Sequence, residues 1–145
     1  MPRVNPSLGG KLSPDIDEAA RAIARRQRWK IVPEGAWAAN LLGLSTQVPS
    51  KIIYLTDGPN NEVPIGRRTI YFKHARPKAL AGPEGKCALV VQALRHLGKE
   101  NVSTREIETL RAELSPADKR KLLKETRFGV DWIYKVASLI AEKAA

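Results

Sequence analysis

The chain has 145 residues, 43% of them hydrophobic and 28% charged, a composition that fits one globular domain. Lys and Arg number 25 against 15 Asp and Glu, a formal net charge of +10, and a field of that sign draws in polyanions. One cysteine, Cys87, excludes an internal disulfide, and the apolar runs IIYL, CALVV and VASLIA are far too short to span a bilayer, so a cytoplasmic protein with no membrane partner is expected.

Residues 1–12, with Pro2, Asn5, Pro6, Gly9 and Gly10, read as an extended lead-in to a single domain over 13–145. Ser13-Pro14-Asp15 predicts a helix start, with Ser13 as N-cap and Asp15, Asp17 and Glu18 complementing the dipole. Ile16, Ala19, Ala20 and Ile23 give this helix a narrow apolar stripe, and it should end near Arg28. A short strand follows at Trp29–Val32, then a small helix from Ala36 to Leu42 closed by Gly43. Lys51 to Thr56 is β-branched and aromatic, hence a strand, and Asp57-Gly58-Pro59-Asn60-Asn61 is dense turn chemistry that reads as its hairpin. Glu62–Ile65 and Thr69–Lys73 predict two further strands around a Gly66-Arg67-Arg68 turn. From Pro83 onward the pattern is helical. Cys87, Val90, Val91, Leu94 and Leu97 recur at helical spacing up to Gly98, Ser103-Thr104-Arg105-Glu106 is a capping box, Ser115-Pro116 opens another helix, and Gly129 separates it from a last one carrying Trp132, Ile133, Val136 and Ile140. The expected class is α+β: an N-terminal helix and a small, mostly antiparallel sheet packed with four C-terminal helices.

Catalytic signatures are absent from the sequence. His74 stands among Lys73, Arg76 and Lys78, His96 reads as a surface residue, and Cys87 falls on an apolar stripe. No Cys/His cluster has zinc spacing and no Gly-rich phosphate loop is present, so neither metal nor cofactor nor enzymatic activity is expected. A nucleotide pocket near Ser45, Thr46 and Gln47 has only weak support.

The basic residues carry more. The charge is skewed: residues 1–80 hold 13 Lys/Arg against 6 Asp/Glu, and residues 81–145 hold 12 against 9. Arg21, Arg25 and Arg28 share one helix face, with Arg26 and Lys30 beside them. Such a row can track phosphates along a groove; it can equally be a solvated face in which Asp17 pairs with Arg21. Arg67, Arg68, Lys73, Arg76 and Lys78 form a second patch on the proposed hairpin, where alternation puts Lys73 with Tyr71 and sets Ile70 and Phe72 on the other face. That ribbon suits a duplex, and edge lysines also block aggregation. Arg21, Arg25, Arg28, Lys30, Arg67, Arg68 and Lys73 are therefore the candidate nucleic-acid-binding residues, and the run Lys119–Lys124 goes around its helix as a solvated surface. Trp29, Trp37 and Trp132 are expected in the core; Tyr54 and Tyr71 are expected to pack, with base stacking as the alternative.

Asn5-Pro6-Ser7-Leu8-Gly9, Ser13-Pro14-Asp15-Ile16-Asp17-Glu18, the block GAWAANLLGLSTQVP over residues 35–49, Tyr54-Leu55-Thr56-Asp57-Gly58-Pro59 and VQALRHLGK over residues 91–99 resemble the AbiEi-type antitoxins of type IV toxin–antitoxin, or abortive-infection, systems. The resemblance covers nearly the whole chain. It implies an antitoxin that counters a nucleotidyltransferase-like toxin, with auxiliary DNA binding and transcriptional autoregulation. Members of that family carry a winged helix-turn-helix ahead of the Asn-Pro-Ser-Leu-Gly segment, and no such pattern precedes Ser13, so the expected unit is the C-terminal antitoxin domain. The alternative is a stand-alone basic nucleic-acid-binding module with no toxin partner.

Overall fold

The structure is a computed structural model that describes residues 12–80 and 85–142, the side chains of 12–15, 78 and 79 excepted. The lead-in over residues 1–11 and the side chains of Ser13, Asp15 and Lys78 lie outside the described residues. In chain order come α1 (Leu12–Gln27), β1 (Ile31–Pro33), α2 (Gly35–Leu41), β2 (Ile52–Thr56), β3 (Asn61–Ile65), β4 (Arg68–His74), α3 (Pro77–Leu80), α4 (Lys86–Leu97), a 3-10 turn at Lys99–Asn101, α5 (Thr104–Glu113), α6 (Pro116–Thr126) and α7 (Asp131–Ala141). The class is α+β, and α1 begins one residue ahead of Ser13.

The four strands lie in the order β1-β2-β4-β3. β1 and β2 are antiparallel, with Ile31 opposite Thr56, and β3 and β4 form the antiparallel hairpin around Gly66-Arg67, with Val63 opposite Ile70. The centre differs from the expectation. β2 and β3 do not form a hairpin; β4 lies between them and runs parallel to β2, with Tyr54 opposite Phe72. The Asp57–Asn60 turn carries the chain over the end of β4 instead, and side chains hold it there. The Asn60 side-chain oxygen accepts the His74 N–H at 2.7 Å, His74 Nδ1–H donates to the Gly58 carbonyl at 2.8 Å, and the Thr56 hydroxyl accepts the Gly58 N–H at 3.0 Å. Trp29 lies so close over this turn that a Cβ on Gly58 would come within 2.6 Å of three atoms of its indole ring.

Alternation decides which sheet face is buried. Ile52, Tyr54, Ile70 and Phe72 point to one side and pack with Ile16 and Ala20 of α1 and with Trp37. On the other side Val32 is covered by Leu80 and Ala88, with Leu55 and Ala75 against them. A separate core joins α2 to the C-terminal helices through Ala38, Leu42, Leu94, Leu110, Leu122 and Ile140. α2 thus supplies both cores. It reaches α4 because Gly35 has no side chain: a Cβ there would sit 2.5 Å from the Cβ of His96 and 3.0 Å from the Gln92 carbonyl. Trp37 is fully buried, while Trp29 and Trp132, expected in the core, are half-buried.

The helix ends follow local chemistry. α2 closes on Gly43 (φ +79), whose N–H donates to the Asn40 carbonyl at 3.1 Å while the Leu44 N–H donates to Ala39 at 2.9 Å. Glu106 accepts from the Ser103 N–H at 2.8 Å, and the Ser115 hydroxyl accepts from Asp118 at 3.0 Å, each capping the helix predicted there. No helix among the described residues is long and apolar enough to cross a membrane.

Candidate nucleic-acid interface

α1 turns its basic face toward β1, the edge strand. Between them lies a cavity of about 600 Å³ lined by Arg21, Arg25, Arg28 and Lys30, with Ala24, Val32 and Ala88 as apolar floor. Four of the seven sequence-predicted residues therefore meet in one groove. Arg26, the fifth basic residue of the segment, is exposed and does not line it. Gly85 and Ala88 bring the first turn of α4 to the far wall, and its dipole adds positive potential there. Asp57 lines the groove too, its carboxylate accepting the Lys30 N–H at 2.8 Å.

Arg21 is paired with Asp17 and lines the groove as well, its Nε donating to Asp17 Oδ2 at 2.8 Å. The pair is part-exposed and contributes no more than about 1 kcal/mol. Its larger role is positional. Asp17 Oδ1 accepts from the Tyr54 hydroxyl at 2.6 Å, and that hydroxyl accepts from Trp37 Nε1 at 2.8 Å. A chain of hydrogen bonds thus runs from the sheet core to the first arginine of the groove. Burial first, then the Asp17 charge, pushes the Tyr54 hydroxyl far above its ordinary value, so it stays a donor.

Arg28 ends α1 in the left-handed region at φ +61, the one non-glycine among the described residues to do so. Its N–H donates to the Arg25 carbonyl at 3.3 Å and the Trp29 N–H to Ala24 at 2.9 Å, the same pair of bonds that closes α2 on a glycine. Sequence periodicity placed Arg28 on the helix face but gave no sign of this conformation.

Arg67, Arg68 and Lys73 do not join the groove. Arg67 is exposed in the β3–β4 turn, and Arg68 is half-buried as the first residue of β4. Both line an open depression of about 280 Å³ with Thr69 and Tyr71. Lys73 is exposed in a second depression of about 610 Å³ with Lys51, Glu62 and Tyr71. Tyr71 is common to both, and Lys51, which sequence reasoning passed over, holds its ammonium 5.6 Å from the Tyr71 ring centroid. As alternation required, Ile70 and Phe72 are buried on the other face.

The remaining chemistry-bearing residues lie apart from the groove. Burial pushes the Cys87 thiol up to about 11. Gln47 donates its N–H to Ser45 Oγ at 3.2 Å, and the Asn40 amide donates to the Ser45 and Gln47 carbonyls at 3.3 and 3.0 Å, so the Ser-Thr-Gln segment closes on itself. Lys119 and Arg120 share their surface with Glu108 and Glu142. Among the described residues, no three His, Cys, Asp or Glu side chains gather as a metal set would. A family model matches residues 1–122, and its description is a family of unknown function, DUF6088. No curated protein and no solved structure matches the chain.

Proposed function

Because the chain belongs to the DUF6088 family, whose function is unknown, its role has to be argued from its own surface, and we propose that it binds nucleic acid by its phosphate backbone in the groove between α1, β1 and the start of α4. The observation that supports this is the convergence of Arg21, Arg25, Arg28 and Lys30 on one cavity, in a chain of net charge +10. From Arg21 to Arg28 the helix rises roughly 10 Å, about the rise of three phosphates along one DNA strand. The contacts are to phosphate rather than to base edges, so the affinity is salt-dependent and weakly selective for sequence. The protein acts as a cytoplasmic binding protein and not as a catalyst. The test is fluorescence anisotropy with a labelled 20-base-pair duplex between 50 and 200 mM salt. Arg21→Ala/Arg25→Ala/Arg28→Ala should reduce the slope of log affinity on log salt by roughly 2.7. No binding by the unaltered protein at 50 mM salt would defeat the proposal.

A second reading is the antitoxin role. Its support is the resemblance of residues 35–49 and 54–59 to AbiEi-type antitoxins, not the groove. In this reading DNA binding serves autoregulation while the chain counters a nucleotidyltransferase-like toxin. Co-expression with a toxin encoded beside it should restore growth; unrelieved toxicity with both proteins present at equal level sinks it.

A further inference from the structure

The part of the sheet's outer face around Tyr71 has the makings of a second site, of different chemistry from the groove. Tyr71 lies at its centre, flanked by Ile53 on β2 and Glu62 on β3. The other strand tyrosine, Tyr54, is fully buried with its hydroxyl bonded to Asp17. Tyr71 is only half-buried and adds nothing to the core on the α1 side; its contact is the Lys51 ammonium at 5.6 Å. Cations stand on either side along the strand: Lys73 follows Tyr71, while Lys51, which the register sets level with Thr69, stands with Arg67 and Arg68 before it. Arg67, Arg68 and Lys73 form no ion pair among the described residues, and Glu62 is the acid present. The larger depression lies within the range of about 300–1,000 Å³ usual for small-ligand sites.

A half-buried aromatic ring that already carries the Lys51 ammonium over it, with further cations to either side, has the complementarity of an unpaired nucleotide. The base offers a π-face to the ring and the flanking phosphates meet the charges. A duplex cannot use the ring, because its bases are stacked on one another. We propose that this face binds single-stranded nucleic acid, with one base stacked on Tyr71 in place of the Lys51 ammonium and the adjoining phosphates held by Lys73 on one side and by Lys51, Arg67 and Arg68 on the other. Occupancy here is independent of the α1 groove, which opens at the β1 edge while α1 packs on the opposite sheet face.

The experiment uses the whole chain and fluorescein-labelled 15-mers of oligo(dT) and oligo(U), with a hairpin duplex as comparison, at 50 mM salt. Tyr71→Ala should weaken binding of the single strands by about 5- to 150-fold while duplex binding holds. Tyr71→Phe, which keeps the ring, should bind within about twofold of the original. Lys73→Glu lies on the exposed surface and reports even if Tyr71→Ala fails to fold; it should weaken the single strands and steepen nothing for the duplex. The stronger of the DNA and RNA arms names the natural strand. Unchanged single-strand binding in Tyr71→Ala or Lys73→Glu, or equal loss in Tyr71→Phe and Tyr71→Ala, overturns the proposal. The arginine triple substitution separates the two sites: it should lose duplex binding and leave the Tyr71 effect intact, so either site can fail alone.

Discussion

Replacing Arg28 by glycine should make the protein more stable and a poorer ligand for nucleic acid at the same time. Arg28 holds φ +61 at the end of α1, where two backbone bonds close the helix. The same task falls to Gly43 (φ +79) at the end of α2, and Gly98 at the end of α4 also has positive φ (+85). A side chain in this region costs roughly 1–2 kcal/mol, and glycine gives back about 0.5–1 kcal/mol through its freedom in the unfolded chain. Arg28→Gly should therefore gain about 0.5–1 kcal/mol, which for a chain of this size raises Tm by about 2–4 °C. The groove loses one cation, so the salt slope for a duplex should fall by about 0.9 and affinity at 50 mM salt by roughly tenfold. Thermal melts followed by circular dichroism and salt-dependent anisotropy measure the two effects on one preparation. A gain in Tm with unaltered affinity removes Arg28 from the interface. A fall in Tm shows that the guanidinium contributes more to the fold than the backbone strain takes away.

Three further outcomes follow from the packing. Tyr54→Phe leaves Asp17 Oδ1 and Trp37 Nε1 without the hydroxyl between them, and should destabilise by about 1–3 kcal/mol in urea unfolding; no change in midpoint would mean the network is not coupled to the fold. Gly58→Ala drives a methyl into the Trp29 ring, an overpacking that should cost about 1–3 kcal/mol and shift tryptophan fluorescence; a neutral result would show that the indole swings away freely. Stability should also fall on the alkaline side. The folded protein holds the Cys87 proton up to about 11 against an ordinary 9.0, and the Tyr54 proton well above its ordinary 10.0. The unfolded chain releases both earlier, so the stabilisation is whole below pH 9 and fades above it, by at most about 1.4 kcal/mol per pH unit for each group. Urea midpoints that do not decline from pH 8 to 10 would contradict the Cys87 assignment, and midpoints that do not decline from pH 10 to 11 would contradict the Tyr54 one.

Local chemistry was readable in the chain, and long-range pairing was not. The Ser103–Glu106 box, the Ser115 cap and the Gly43 and Gly98 helix ends each depend on a few adjacent residues, and all lie where the residue types place them. The Ile70/Phe72 face followed from alternation. The parallel β2–β4 pairing could not be read, because a turn as strong as Asp57-Gly58-Pro59-Asn60 looks like a hairpin until His74 and Asn60 are seen to tie it across another strand. In the groove, helical spacing foretold the row of arginines. It did not foretell the β1 and α4 walls that turn the row into a cavity, nor the backbone of Arg28. On the sheet, the expected basic ribbon is two depressions meeting at Tyr71, and Lys51 escaped notice because the parallel β2–β4 pairing that brings it beside Tyr71 was not foreseen.

The dual allegiance of α2 bears on how the molecule comes apart. Trp37 belongs to the sheet core and Ala38, Ala39 and Leu42 to the helical core, so α2 and its C-cap carry much of the seam between the two halves, which also meet where Ala88 of α4 covers Val32 of β1. The halves melt as one cooperative unit only while that seam holds. The arginine groove straddles it, with α1 and β1 on one side and the start of α4 on the other. A fluctuation that parts α4 from α2 at Gly35 and from β1 at Ala88 would dismantle the groove before either core unfolds, and a polyanion spanning it would act as a clamp across the seam, slowing amide exchange in α2 ahead of any rise in global stability.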